Sequence, residues 1–173
     1  KSVAEQVEML NICFQRFWNF DENRERIIND SLSFADEFME IVAIPKWQLI
    51  ARTYGEAVRK VLALLNKQRG GGFRNHCEGL ESKFYLHRSA FTEYGMRMAS
   101  KQQKGCDILV VPVQLGNSYK NFSVRLAREA FTNEFGLGVF EMACILLTHP
   151  QLLQKQDDFN VDCAGDHYDP NGY

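Results

Sequence analysis

Cys106-Asp107-Ile108-Leu109-Val110-Val111-Pro112-Val113-Gln114-Leu115 is the stretch that decides the fold. Branched aliphatic residues favour extended backbone, and Gly105 and Gly116 bracket the run, which predicts a β-strand. Pro112 cannot donate to a strand ladder, so the strand is expected at an edge or a bulge. With this strand set among helical patterns, the fold class reads as α+β, mainly α.

Upstream, the pattern is helical. Val3, Val7, Leu10, Phe14, Phe17 and Trp18 recur at spacings of three and four, one face of an amphipathic helix. Asp21 is the expected N-cap of a second helix carrying Ile28, Leu32, Ala35, Phe38, Met39 and Val42, with Glu22 and Glu25 suiting its dipole. After Pro45 a third helix is expected, with Trp47, Ile50, Tyr54, Val58, Val61, Leu62 and Leu65 on its buried side. Lys67, Arg69 and Gly70-Gly71-Gly72 give it a typical C-terminus. The expectation is an N-terminal three-helix unit over 1–69, packed with a mixed part over 73–173 in one domain. Gly70 to Gly72 form the internal boundary.

In the second part, Ser89 to Gln103 reads as a helix with Phe91, Tyr94 and Met98 on one side. Ser123 suits the N-cap of a helix running to Phe131. Gly136 and Gly138 lead into an apolar helix ending near Thr148, where His149 and Pro150 suit a cap and turn. Phe159-Asn160-Val161 is a candidate second short strand.

A chain of 173 residues, 45% hydrophobic and 12% aromatic, has ample material for a core. A domain of this size buries roughly 70% of its unfolded surface without needing disulfides or metal. The net charge of −2 argues against nucleic-acid or membrane binding by the whole surface, which leaves only a local basic patch. Cys13, Cys77, Cys106, Cys144 and Cys163 are scattered and form no CxxC pair, the pattern of a reducing, cytoplasmic compartment. The apolar run Val139 to Leu147 is broken by Glu141 and falls short of the ~20 residues that span a bilayer. No membrane association is expected, and the first residues lack a signal-peptide layout.

Candidate chemistry lies mostly after the glycines. Asp157, Asp158, Asp162, Asp166 and Asp169 crowd one acidic tail together with Cys163 and His167. Oxygen-rich loops attract Mg²⁺ or Ca²⁺, so Asp162, Asp166, His167 and Asp169 are candidate ligands of a divalent metal cofactor in a metal-dependent hydrolase. Cys163 and His167 could form half of a zinc site with His76 and Cys77. The plainer reading is a solvated, turn-rich acidic segment. Arg74, Lys120, Arg125 and Arg128 form a candidate anion or nucleic-acid patch near the start of the Ser123 helix, against the plainer reading of an ordinary charged face. Catalysis around His76, Cys77, Glu78, Glu81, Ser82 and His87 has no supporting motif. No nucleophile elbow, H-E-x-x-H helix, P-loop or dinucleotide turn is present.

Phe14, Phe17, Trp18 and Phe20 crowd more than one side of the first predicted helix. Such a helix is either central or offers an apolar face to a partner. The leading expectation is therefore a helical interaction module or accessory subunit, bound to a protein partner or a second copy through these aromatics. Metal-dependent hydrolysis and phosphate or nucleic-acid binding are the alternatives.

Overall fold

The computed structural model describes residues 1–32, 39–73, 86–115, 118–119, 121–152 and 163–168. Within them the chain forms α1 (Val3–Phe14), α2 (Arg24–Ser31), β1 (Met39–Pro45), a 3-10 turn (Trp47–Leu49), α3 (Tyr54–Gln68), β2 (Leu86–Arg88), α4 (Ala90–Gln102), β3 (Ile108–Gln114), α5 (Val124–Ala130), α6 (Val139–Thr148) and β4 (Asp166–Tyr168). This is an α+β architecture with two antiparallel pairs, β1 with β3 and β2 with β4. The candidate strand Phe159–Val161 lies outside the described residues.

The predicted strand forms, and its partner is the surprise. Met39–Pro45, expected as the end of a helix, pairs with it without a bulge from Met39 opposite Gln114 to Pro45 opposite Ile108. The three-helix unit expected before Gly70 is thus interrupted by a strand. Two residue types explain the change: Leu32 takes an extended ψ of 138° that ends α2, and Ile41, Val42 and Ile44 are β-branched. The half of the ribbon formed by Val42–Pro45 and Ile108–Val111 is buried on both faces. Val42, Ile44, Leu109, Val111 and Val113 join α3 and α6 in one apolar cluster, while Ala43, Ile108 and Val110 join α1, α2 and Trp18 in another. A strand pair covered on both sides needs an unbroken apolar run, which is what 108–113 supplies.

Two buried glutamines close the ribbon's outer edges. Gln6 of α1 donates to Ile41 O at 2.8 Å and accepts from Ala43 N at 2.9 Å. Gln103, just after α4, donates to Val110 O at 2.9 Å and accepts from Val110 N at 2.8 Å. A primary amide carries the same donor and acceptor as a peptide group, so each side chain stands in for a missing strand. Ala43 and Val110 are direct partners whose polar groups therefore point outward. Pro112, two residues on, has its nitrogen outward as well. The ribbon needs no N–H there, and the expected edge position of the proline is met.

The helix ends follow local chemistry. α1 stops at Phe14 because Gln15 adopts a left-handed φ of 51°, so Phe17, Trp18 and Phe20 lie beyond the helix and not on it. Asn23, not Asp21, is the N-cap of α2, and Asp21 Oδ1 accepts from Asn23 N. Trp47 and Ile50 fall in the 3-10 turn and its cap, and α3 begins after Thr53, whose hydroxyl accepts from Glu56 N. Gly70 and Gly71, at φ of 61° and 83°, end α3 as the sequence implied. Ser89 and Ser123 cap α4 and α5, and His149 is the C-cap of α6. No helix among the described residues is long and apolar enough to cross a membrane.

Candidate functional site

Among the described residues, a buried polar cluster sits at the N-terminus of α6 and draws on four other elements. Glu141, fully buried, is paired with Arg88 of β2, and its other oxygen accepts from Gly138 N at 3.1 Å. Arg88 also meets Glu93 of α4 at 3.0 Å and lies over the Tyr54 ring. Asp166 of β4 accepts from Val139 N at 2.7 Å and from the Tyr54 hydroxyl at 2.9 Å. Two carboxylates therefore satisfy the first N–H groups of α6 and oppose its positive dipole end.

Glycines let the backbones close around this cluster. Gly165 N donates to Leu137 O, and Thr92 Oγ1 donates to Gly136 O. A Cβ on Gly165 would come within 2.4 Å of Gly136 O, and one on Gly138 within 2.4 Å of the Tyr54 hydroxyl. The Gly136-Leu137-Gly138 turn therefore serves close packing.

Burial sets the electrostatics. Desolvation pushes the Asp166 carboxyl up, against its hydrogen bonds and the charges of Arg88 and Arg128. It pushes the Tyr54 hydroxyl well up, and the Asp166 charge adds to this. Such a pair could hold a proton, yet its atoms are committed to α6 and to each other. The described cleft in the surface lies elsewhere, on the outer face of α3. The cluster's chemistry is that of a lock.

The predicted metal ligands do not converge within the described residues. Asp162 and Asp169 lie outside them, as do His76 and Cys77. Asp166 and His167 are neighbours on a strand and so face opposite ways, Asp166 inward and His167 outward. His167 is instead directly across from His87, both exposed, with Arg128 at 3.5 Å. Desolvation and the Arg128 charge hold His167 below the usual histidine range. Among the described residues no group of three or more His, Cys, Asp or Glu side chains is placed to hold a metal ion.

The expected basic patch is divided. Arg74 and Lys120 lie outside the described residues. Arg128 turns inward, its guanidinium donating to the carbonyls of Ala164 and Asp166, so it fastens β4. Arg125 stays exposed beside Glu129.

The aromatic group is divided too. Trp18 is buried, Phe14 packs edge-on against it at 5.7 Å, and Phe20 rests on the same core. Phe17 alone of the four is open, 91% exposed. A larger apolar surface appears on α4, where Phe91 is 83%, Tyr94 56% and Met98 37% exposed. At i, i+3 and i+7 these three form one stripe.

α4 faces inward instead through Ser89, Thr92, Met96 and Gln103, all buried. Gly95 lies so close to Phe135 that a Cβ there would meet its ring at 2.1 Å. The sequence placed Phe91, Tyr94 and Met98 on a common side correctly. It gave no sign that the opposite, more polar side is the buried one.

Compared with models of known protein families, with curated proteins and with solved structures, the chain matches none.

Proposed function

We propose that the chain is a protein-interaction module that docks an acidic, apolar segment of another protein on the outer face of α4. The carrying observation is the exposed stripe of Phe91, Tyr94 and Met98 on a helix already anchored from behind. Exposed aromatics in a contiguous row cost nothing to the fold when covered by a partner, and such rows mark interaction surfaces.

Charge selects the partner's chemistry. Arg97, which lies over Tyr94, and Lys101 are exposed on the same helix, while Glu93 is held by Arg88. A second copy would set these cations against themselves, whereas a segment with Asp or Glu beside its apolar residues would complement them. This reading keeps the interaction class expected from the sequence and moves the contact from Phe14, Phe17, Trp18 and Phe20 to α4.

A displayed library of short random peptides, selected against the full chain, provides the test. Enriched peptides are expected to carry apolar residues at helical spacing with acidic neighbours. Added to the chain, they should slow amide hydrogen exchange or shift resonances chiefly along α4. Failure to enrich any peptide, or a footprint away from α4, would contradict the proposal.

A further inference from the structure

We propose that the cleft between the 3-10 turn and the outer face of α3 binds a phosphorylated small molecule through Arg52 and Arg59, with Lys60 beside them. The cleft has a volume of about 720 Å³ and is lined by Gln48 to Arg52, Glu56, Arg59, Lys60 and Ala63. It is open to solvent, with Gln48, Leu49, Arg52, Arg59, Lys60 and Ala63 all exposed, so a ligand would lie along it held chiefly by charge.

The arginines of the molecule single out this place. Arg16, Arg24, Arg26, Arg69, Arg88, Arg125 and Arg128 all meet a carbonyl, amide or carboxylate acceptor. Arg97 lies over Tyr94. Among the described arginines only the guanidinium groups of Arg52 and Arg59 have neither an acceptor nor a ring, and both line this cleft. A guanidinium offers a planar fork of donors that matches phosphate in two-pronged fashion.

The remaining polar groups of the cleft leave that charge in place. Glu56 accepts from Arg52 N at 3.2 Å, which ties its carboxylate to the backbone before α3. Lys60 donates to Ile50 O at 2.8 Å and so stands at the cleft with its charge uncompensated. Three cations thus face one engaged carboxylate, on a chain whose net charge is −2. Leu49, Ile50, Ala51 and Ala63 supply an apolar wall for the part of the ligand that carries the phosphate. Arg16, which donates to Leu49 O at 2.9 Å, adds a fourth cation at the rim of the cleft.

Calorimetric titration of the full chain with inorganic pyrophosphate at low salt tests this, alongside Arg52→Gln/Arg59→Gln and, as a control on α2, Arg26→Gln. The expected result is saturable binding that raises the unfolding midpoint and weakens with added salt. The paired variant should weaken it at least about tenfold, and the control should leave it unchanged. Absence of binding at low salt, or equal binding by the paired variant, would overturn the proposal. A parallel arm with a single-stranded oligonucleotide guards the ligand class. An oligonucleotide that binds through the same arginines more tightly than pyrophosphate would overturn the small-molecule assignment.

Discussion

Two helices of similar length use their apolar residues in opposite ways. α6 is buried from Phe140 to Thr148 apart from Met142, with even its carboxylate Glu141 enclosed, and packs against α1, α3 and β1. α4 turns Thr92, Met96 and the following Gln103 inward and leaves Phe91, Tyr94 and Met98 outside. The difference lies in what anchors each helix. α6 is held by bulk apolar contact and by two carboxylates at its start. α4 is held by hydrogen bonds, from Thr92 Oγ1 to Gly136 O and between Gln103 and Val110. Polar anchoring frees large side chains for the outside, and this exposed row is what the proposed docking on α4 rests on.

The same residue type measures the contrast. Phe140→Ala should cost about 3–5 kcal/mol of folding stability, because it leaves a cavity in a close-packed core. Phe91→Ala should stay within about 0.5 kcal/mol. Equal losses in chemical denaturation would erase the distinction between the helices.

The glycine contact behind α6 comes next. Gly165→Ala would press a methyl group onto the backbone of Gly136 to Gly138 and should cost about 3 kcal/mol, seen as a lowered urea midpoint. An unchanged midpoint would mean that β4 can move away from the turn and does not lock it.

Polar anchoring of α4 is tested through Gln103. Gln103→Leu keeps the volume and removes both hydrogen bonds, leaving Val110 N–H and C=O buried, at about 1–3 kcal/mol. If stability is unaffected, apolar contact alone holds α4.

A smaller effect comes from acid. Burial holds His149, the C-cap of α6, below the usual histidine range, and His167 is lowered as well. The unfolded chain therefore binds more protons than the folded one in this range, so stability falls with acidity. The loss begins as the pH drops through the ordinary histidine value near 6.5 and levels off below the folded values. Asp166, with its carboxyl pushed up, acts with the opposite sign and at lower pH, where the folded state takes up its proton first. Thermal midpoints from about pH 7.5 to about pH 5.5 should fall, and His149→Gln should flatten the fall. A midpoint that rises over this range would refute the sign.

How far the sequence reveals these features depends on how local they are. The caps Ser123 and His149 and the glycines after α3 act within a turn of themselves and were readable, while Ser89, read as the first residue of its helix, is its cap. β1 was not, because Ile41 to Ile44 also fit a helical spacing and become a strand only through β3, far along the chain. The lock at α6 was hidden for a related reason: Tyr54, Arg88, Glu141 and Asp166 come from four elements, each ordinary in its own surroundings. Glu141 alone gave a signal, as a carboxylate inside the most apolar helix. On α4 hydropathy pointed the wrong way, since Thr92 and Gln103 reach the interior with their hydrogen bonds met by backbone.

The central claim is that the α4 stripe serves binding and not folding. The direct measurement is a paired one on Phe91→Ser/Tyr94→Ser: unfolding free energy, and affinity for a selected acidic peptide, in the same preparation. The account predicts stability within about 1 kcal/mol of the parent chain and affinity reduced at least about tenfold. A stability loss of the size expected for Phe140→Ala, or an unchanged affinity, would contradict it.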